Sequence, residues 1–146
     1  MIPLKTATVQ DDYAWIWDDD EAIDKAKDDW RTEYDAALES GDLDRLPLKP
    51  GVKPTVFWLR HPSPALRRVM AGFFSTGKEQ GLASRRCAQY SLVRADGTGL
   101  ELKWQSRCPD TGFDCVPDKT MDVLDGVPDL VDSIALAVLK EMSRPS

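Results

Sequence analysis

Five prolines fall between residues 47 and 64: Pro47, Pro50, Pro54, Pro62 and Pro64. Each lacks a backbone donor and crowds the turn before it, so no helix runs through this stretch. The chain is thereby cut in two. Between Pro54 and Pro62 lies TVFWLR, residues 55–60, whose β-branched and aromatic side chains predict a short strand. Immediately after it, Ser63 is a good helix cap and Pro64 a good first helical residue. A helix is expected from Pro64 to about Thr76. Leu66, Val69, Met70, Phe73 and Phe74 form its apolar stripe, and Arg67 and Arg68 lie outside that stripe.

Upstream, Ile23, Ala26, Trp30, Tyr34, Ala37 and Leu38 recur at three- and four-residue steps. A helix is expected over Glu21 to Ser40, with Asp18, Asp19 and Asp20 supplying its cap and favourable charge. Gly41 suits its end. Tyr13, Trp15 and Trp17 alternate with Ala14 and Ile16. The segment Pro3 to Trp17 therefore reads as a short strand with an aromatic face, or as an arm docking its aromatics on a partner. Leu43, Leu46 and Leu48 anchor the turn-rich segment 41–54.

Residues 82–104 admit two readings. Ala88–Arg94 and Leu100–Trp104 flank ADGTG as a hairpin would, yet Leu82, Arg86, Cys87 and Tyr90 share a helical face. Residues 105–117 read as an irregular loop and Thr120–Leu124 as a short turn. A final helix starts at Pro128, with Leu130, Val131, Ile134, Ala135, Val138, Leu139 and Met142 along one side. The expected fold is α+β: a mostly helical single domain with about three main helices and a small antiparallel hairpin or sheet. Residues 1–20 form an N-terminal arm or edge strand, and residues 21–146 a single globular domain.

With 146 residues, 42% hydrophobic and 30% charged, the chain is long enough for one core. The net charge of -6 is unevenly spread. Residues 1–50 carry 14 acids against 6 bases, residues 51–100 carry 2 against 8, and residues 101–146 carry 9 against 5. Either the acidic ends fold over the basic middle, or one face presents a basic patch to an acidic partner. The basic middle interleaves Arg60, Arg67, Arg68, Lys78, Arg85 and Arg86 with Phe57, Trp58, Phe73 and Phe74, as single-strand nucleic-acid binders do. Those aromatics sit where a strand and a helix would bury them, and the net charge opposes a polyanion. No nucleic-acid partner is expected. The longest uncharged apolar run, Ile134–Leu139, is far too short to span a bilayer, and MIPLKTATVQDD has no apolar signal core. Neither membrane insertion nor secretion is expected.

No phosphate-binding glycine loop, nucleophile elbow or zinc-protease motif is present, and the lone His61 has no partner at catalytic spacing. Catalysis is therefore not expected, nor is any cofactor. Zinc would need Cys87, Cys108, Cys115 and His61 together, without a paired-cysteine knuckle. Three reduced thiols and no metal is the simpler reading. Cys108 and Cys115 have Pro109 and Gly112 between them, so a loop can bring the two together.

Three stretches carry a resemblance: LDRLPLKPGVKPTVFWLRHPSP (43–64), YSLVRADGTGLELKW (90–104) and VLDGVPDLVDSIALAVLKEMSRPS (123–146). In order, they resemble small tailed-bacteriophage tail-morphogenesis proteins of the tail assembly chaperone type. Ser91 stands where that pattern has glycine, and the 108–115 cysteine loop is foreign to it. The resemblance implies a non-enzymatic protein in the host cell cytoplasm, or in the virion if it is a structural component. It also implies that the chain shields a tail tube or tape-measure protein before polymerisation. The surface assigned to that task comprises Trp15, Trp17, Val69, Met70, Phe73 and Phe74, with Arg67 and Arg68 beside it. Other readings are a stoichiometric neck or tail component, assembled as a homo-oligomeric ring through its opposed charges, and a small acidic regulator that mimics DNA.

Overall fold

Ser63 starts a helix as its sequence signal predicts. Its hydroxyl accepts the Leu66 N–H at 3.2 Å and its carbonyl accepts that of Arg67 at 2.8 Å. The computed structural model describes residues 12–75 and 80–143. Within them lie strands β1 (Tyr13–Trp15), β2 (Val56–Leu59), β3 (Leu92–Asp96), β4 (Ser106–Arg107) and β5 (Asp114–Cys115). The helices are α1 (Trp30–Ser40), α2 (Pro64–Ser75), α3 (Gln80–Ser91), α4 (Asp118–Asp125) and α5 (Leu130–Met142). The fold is α+β. It has five helices among the described residues rather than the three expected, because α3 and α4 are helices in their own right.

The main sheet is antiparallel in the order β1-β2-β3. Tyr13 pairs with Leu59 and Trp15 with Phe57 on one side of β2, while Phe57 pairs with Ala95 and Trp58 with Arg94 on the other. Alternation along β2 sends Phe57 and Leu59 into the core and leaves Val56 and Trp58 half-buried. On the outer face Arg94 lies 5.0 Å above the Trp58 ring, and the indole N–H donates to Asp96 at 3.0 Å. The inner face meets Met70 of α2, Cys87 and Ala88 of α3, Met121 of α4 and Ile134 and Val138 of α5 in one continuous core. A second, smaller core gathers Ile16, Ile23, Tyr34, Ala37 and Leu46.

Two sequence expectations change, and the open choice at residues 82–104 falls to the helix. The helix expected over Glu21–Ser40 begins only at Trp30. The Asp20 and Asp24 carboxylates accept the N–H two residues on, which favours turns over helix. Ile23 also bridges to Leu48, with Lys49 N–H donating to Ala22 and Asp24 N–H to Pro47, both at 2.8 Å. The 88–104 hairpin does not form. Helix α3 continues to the fully buried Ser91, whose carbonyl accepts the Arg60 N–H at 2.9 Å, and β3 then pairs with β2 instead. The last helix opens at Leu130, two residues beyond Pro128, after Asp129 in a left-handed turn. Residues 3–11 of the expected N-terminal strand lie outside the described residues. Among the described residues no helix is long and apolar enough to cross a membrane.

Candidate functional site

Loop 97–104, leaving β3, forms one wall of an open groove of about 460 Å3. Its course is fixed at both ends. Gly97 has φ +87° and packs so closely on Pro54 that an added Cβ would lie 3.2 Å from that carbonyl. The Thr55 hydroxyl donates to the Gly97 carbonyl at 3.2 Å. Further along, the buried Thr120 hydroxyl donates to the Lys103 carbonyl at 2.6 Å. At the far end the Gln105 amide donates to the Leu92 and Val93 carbonyls at 2.8 and 2.9 Å and accepts from Arg60 at 2.6 Å. Burial lowers the pKa of this arginine, and its Nε–H has no partner among the described residues. Gln105 is thus the main outlet for a poorly solvated charge.

The α4–α5 junction forms the opposite wall. Leu100 is 59% exposed, Val123 43% and Val127 39%, above a floor of Phe57, Leu124 and Leu130. Trp17 closes one end, its indole N–H held by the Ser133 hydroxyl at 3.3 Å. Asp19, Asp20, Glu21 and Lys53 make the rim. Asp20 is structural, accepting the Ala22 and Thr55 N–H groups at 2.8 and 3.0 Å, and Asp19 pairs with Lys25. An open apolar trough under an acidic lip suits an apolar side chain carried beside a basic one.

No family model, curated protein or solved structure matches this chain. The groove must therefore be read from its own residues. Of the surface expected from sequence, Trp17 alone lines it. Trp15 is buried beneath the sheet at 9% exposure, its ring 5.7 Å from that of Phe57, and Met70 is core at 1%. Val69 and Phe73 are half-buried, with Phe73 5.4 Å from Tyr90 and under the Arg86 guanidinium. Phe74, Arg67 and Arg68 are exposed on α2. The stripe of α2 is thus mostly a packing face against α3. Its sequence period is the same whether the stripe meets a partner or the chain's own core.

The four residues of a zinc site do not come together, although Cys108 and Cys115 share one hairpin. Cys87 lies in the core, His61 stacks 4.7 Å from Tyr13, and no group of three possible ligands is gathered among the described residues. Leu100 and Leu102 alternate as a hairpin strand would, Val123 lies on α4 and Val127 at the α4–α5 junction, so no local pattern shows that these four line one groove.

Proposed function

We propose that this chain is a non-enzymatic binding protein whose groove takes an apolar, basic segment of a partner protein. The observation that carries the reading is the joint exposure of Leu100, Val123 and Val127 along one trough bordered by Glu21 and Asp19. Exposed apolar side chains gathered in one place on a charged body mark an interaction site more often than scattered ones do. The resemblance noted in the sequence supplies the finer reading. The chain would be a tail assembly chaperone in an infected cell, and its partner a phage tail tube or tape-measure protein with its polymerising surface covered.

Co-expression with a phage tail tube protein tests this. The wild-type chain should raise the soluble fraction of the tube protein, and the doubly substituted L100D/V127D chain should not. Both positions are exposed, so the double variant should fold with near-wild-type stability. Equal solubilisation by the two would remove the groove from the interaction.

A further inference from the structure

Away from the groove, β4 and β5 form a two-residue hairpin in which Ser106 pairs with Cys115 and Arg107 with Asp114. The ladder extends through Cys108 N–H to the Phe113 carbonyl at 2.9 Å, and the turn is closed by Gly112 N–H to Cys108 at 2.8 Å. Side chains alternate across such a ladder, so Arg107 and Asp114 form an ion pair at 3.3 Å on one face. Cys108 and Cys115 share the other face as diagonal neighbours. A cleft of about 690 Å3 opens onto both, with Arg86 and Tyr90 of α3 in its wall. Cys108 is half-exposed there, and Cys115 is buried behind it.

We propose that Cys108 and Cys115 are a peroxide-oxidisable dithiol, in which Cys108 is the attacking sulfur and Cys115 the resolving one. The surroundings divide the roles. Tyr90 and Thr111, whose hydroxyls meet at 3.1 Å beside the hairpin turn, lower the pKa of Cys108 to about 7. Burial, together with the neighbouring Cys108 charge, raises that of Cys115 and keeps it a thiol. Burial also holds Tyr90 protonated as a donor. Cys108 thiolate attacks one oxygen of a hydroperoxide: an S–O bond forms, the O–O bond breaks, and the alcohol or water leaves with a proton. Cys115 sulfur then attacks the Cys108 sulfenic acid. An S–S bond forms, the S–O bond breaks, and the Cys115 proton departs with hydroxide as water. Two thiols are oxidised and one peroxide is reduced.

The test is independent of the groove. The intact, folded chain is treated with hydrogen peroxide near neutral pH, quenched, alkylated in denaturant and digested with trypsin. Cleavage after Arg107 and Lys119 places both sulfurs in one peptide, residues 108–119. The expected product is that peptide unalkylated and lighter by two hydrogens, restored by reductant, with Cys87 still alkylated. In Cys108→Ser, peroxide consumption should fall at least about tenfold, since Cys115 lacks a stabilised thiolate. Full alkylation of all three cysteines after peroxide overturns the proposal. So does sulfinic acid on Cys108 beside a free Cys115, or a disulfide joining two chains.

Discussion

Replacing Gln105 by alanine removes one side chain that serves both an edge strand and a half-buried charge. Its amide donates to the Leu92 and Val93 carbonyls on the free edge of β3, and its carbonyl is the short acceptor for Arg60. The remaining acceptor for that guanidinium is the Asp114 carbonyl at 3.4 Å. A hydrogen bond to a charged group contributes about 1.5–3 kcal/mol, and each neutral one about 0.5–1.5 kcal/mol. Gln105 is only half-buried, so water replaces part of what is lost. The net destabilisation should be about 2–3 kcal/mol. For a chain of this size that lowers the melting temperature by about 6–10 °C. Thermal unfolding followed by circular dichroism measures it directly. Gln105→Glu separates the two roles: it keeps an acceptor for Arg60 but turns a carboxylate oxygen toward two carbonyls, so it should not recover wild-type stability. A Gln105→Ala chain melting within about 2 °C of wild type would refute the reasoning, as would a Gln105→Glu chain more stable than wild type.

Met70→Ala should cost about 2–5 kcal/mol, because it empties a site in the main core. Phe74→Ala, 38% exposed, should cost less than about 1 kcal/mol. Urea midpoints compare the two, and equal losses would contradict the orientation of α2. The rate of Cys108 alkylation by iodoacetamide should fall as pH drops through about 7, because only the thiolate reacts. Cys87, whose pKa burial raises to about 11, should stay unmodified in the folded chain up to pH 9. A thiol whose folded value lies below its unfolded one stabilises the fold at high pH, and that contribution fades as pH falls from about 9 to about 7. Mass spectrometry across this range checks both cysteines.

Local chemistry was legible wherever it decided structure. The Ser63–Pro64 start, the strand at 56–59 and the Gly41 stop, with φ +74°, all follow from residues within a few positions of one another. Long-range contacts decided the rest. Nothing near Ile23 shows that its backbone will pair with Leu48, so a helical period was read through a segment of turns. The 82–104 stretch stayed open for a related reason: Tyr90 and Leu92 suit a strand face as well as a helical one, and only the burial of Ser91 against Met70, with its carbonyl on the Arg60 N–H, carries the helix to that point. The candidate site was the least legible. Trp17 stood out as a large apolar residue on a terminal segment, whereas Leu100 and Val127 acquire meaning only once loop 97–104 and the α4–α5 junction face each other.

The two separate cores bear on how the groove behaves. Asp19 and Glu21 sit on the segment held by the small cluster of Ile16, Ile23, Tyr34, Ala37 and Leu46, whereas Leu124 and Leu130 belong to the large one. Five buried side chains, the Ile23–Leu48 bridge, the Tyr34 hydroxyl on the Ile16 carbonyl and the Asp20 carboxylate on the Thr55 N–H hold the first unit, a smaller set than the main core has, so it should open at lower free energy than the sheet. The groove straddles the seam between them, with Trp17 and Ser133 as a latch across it. The acidic lip is therefore the less firmly held side of the groove, and amide exchange at Asp24 and Lys49 should run ahead of that at Leu92.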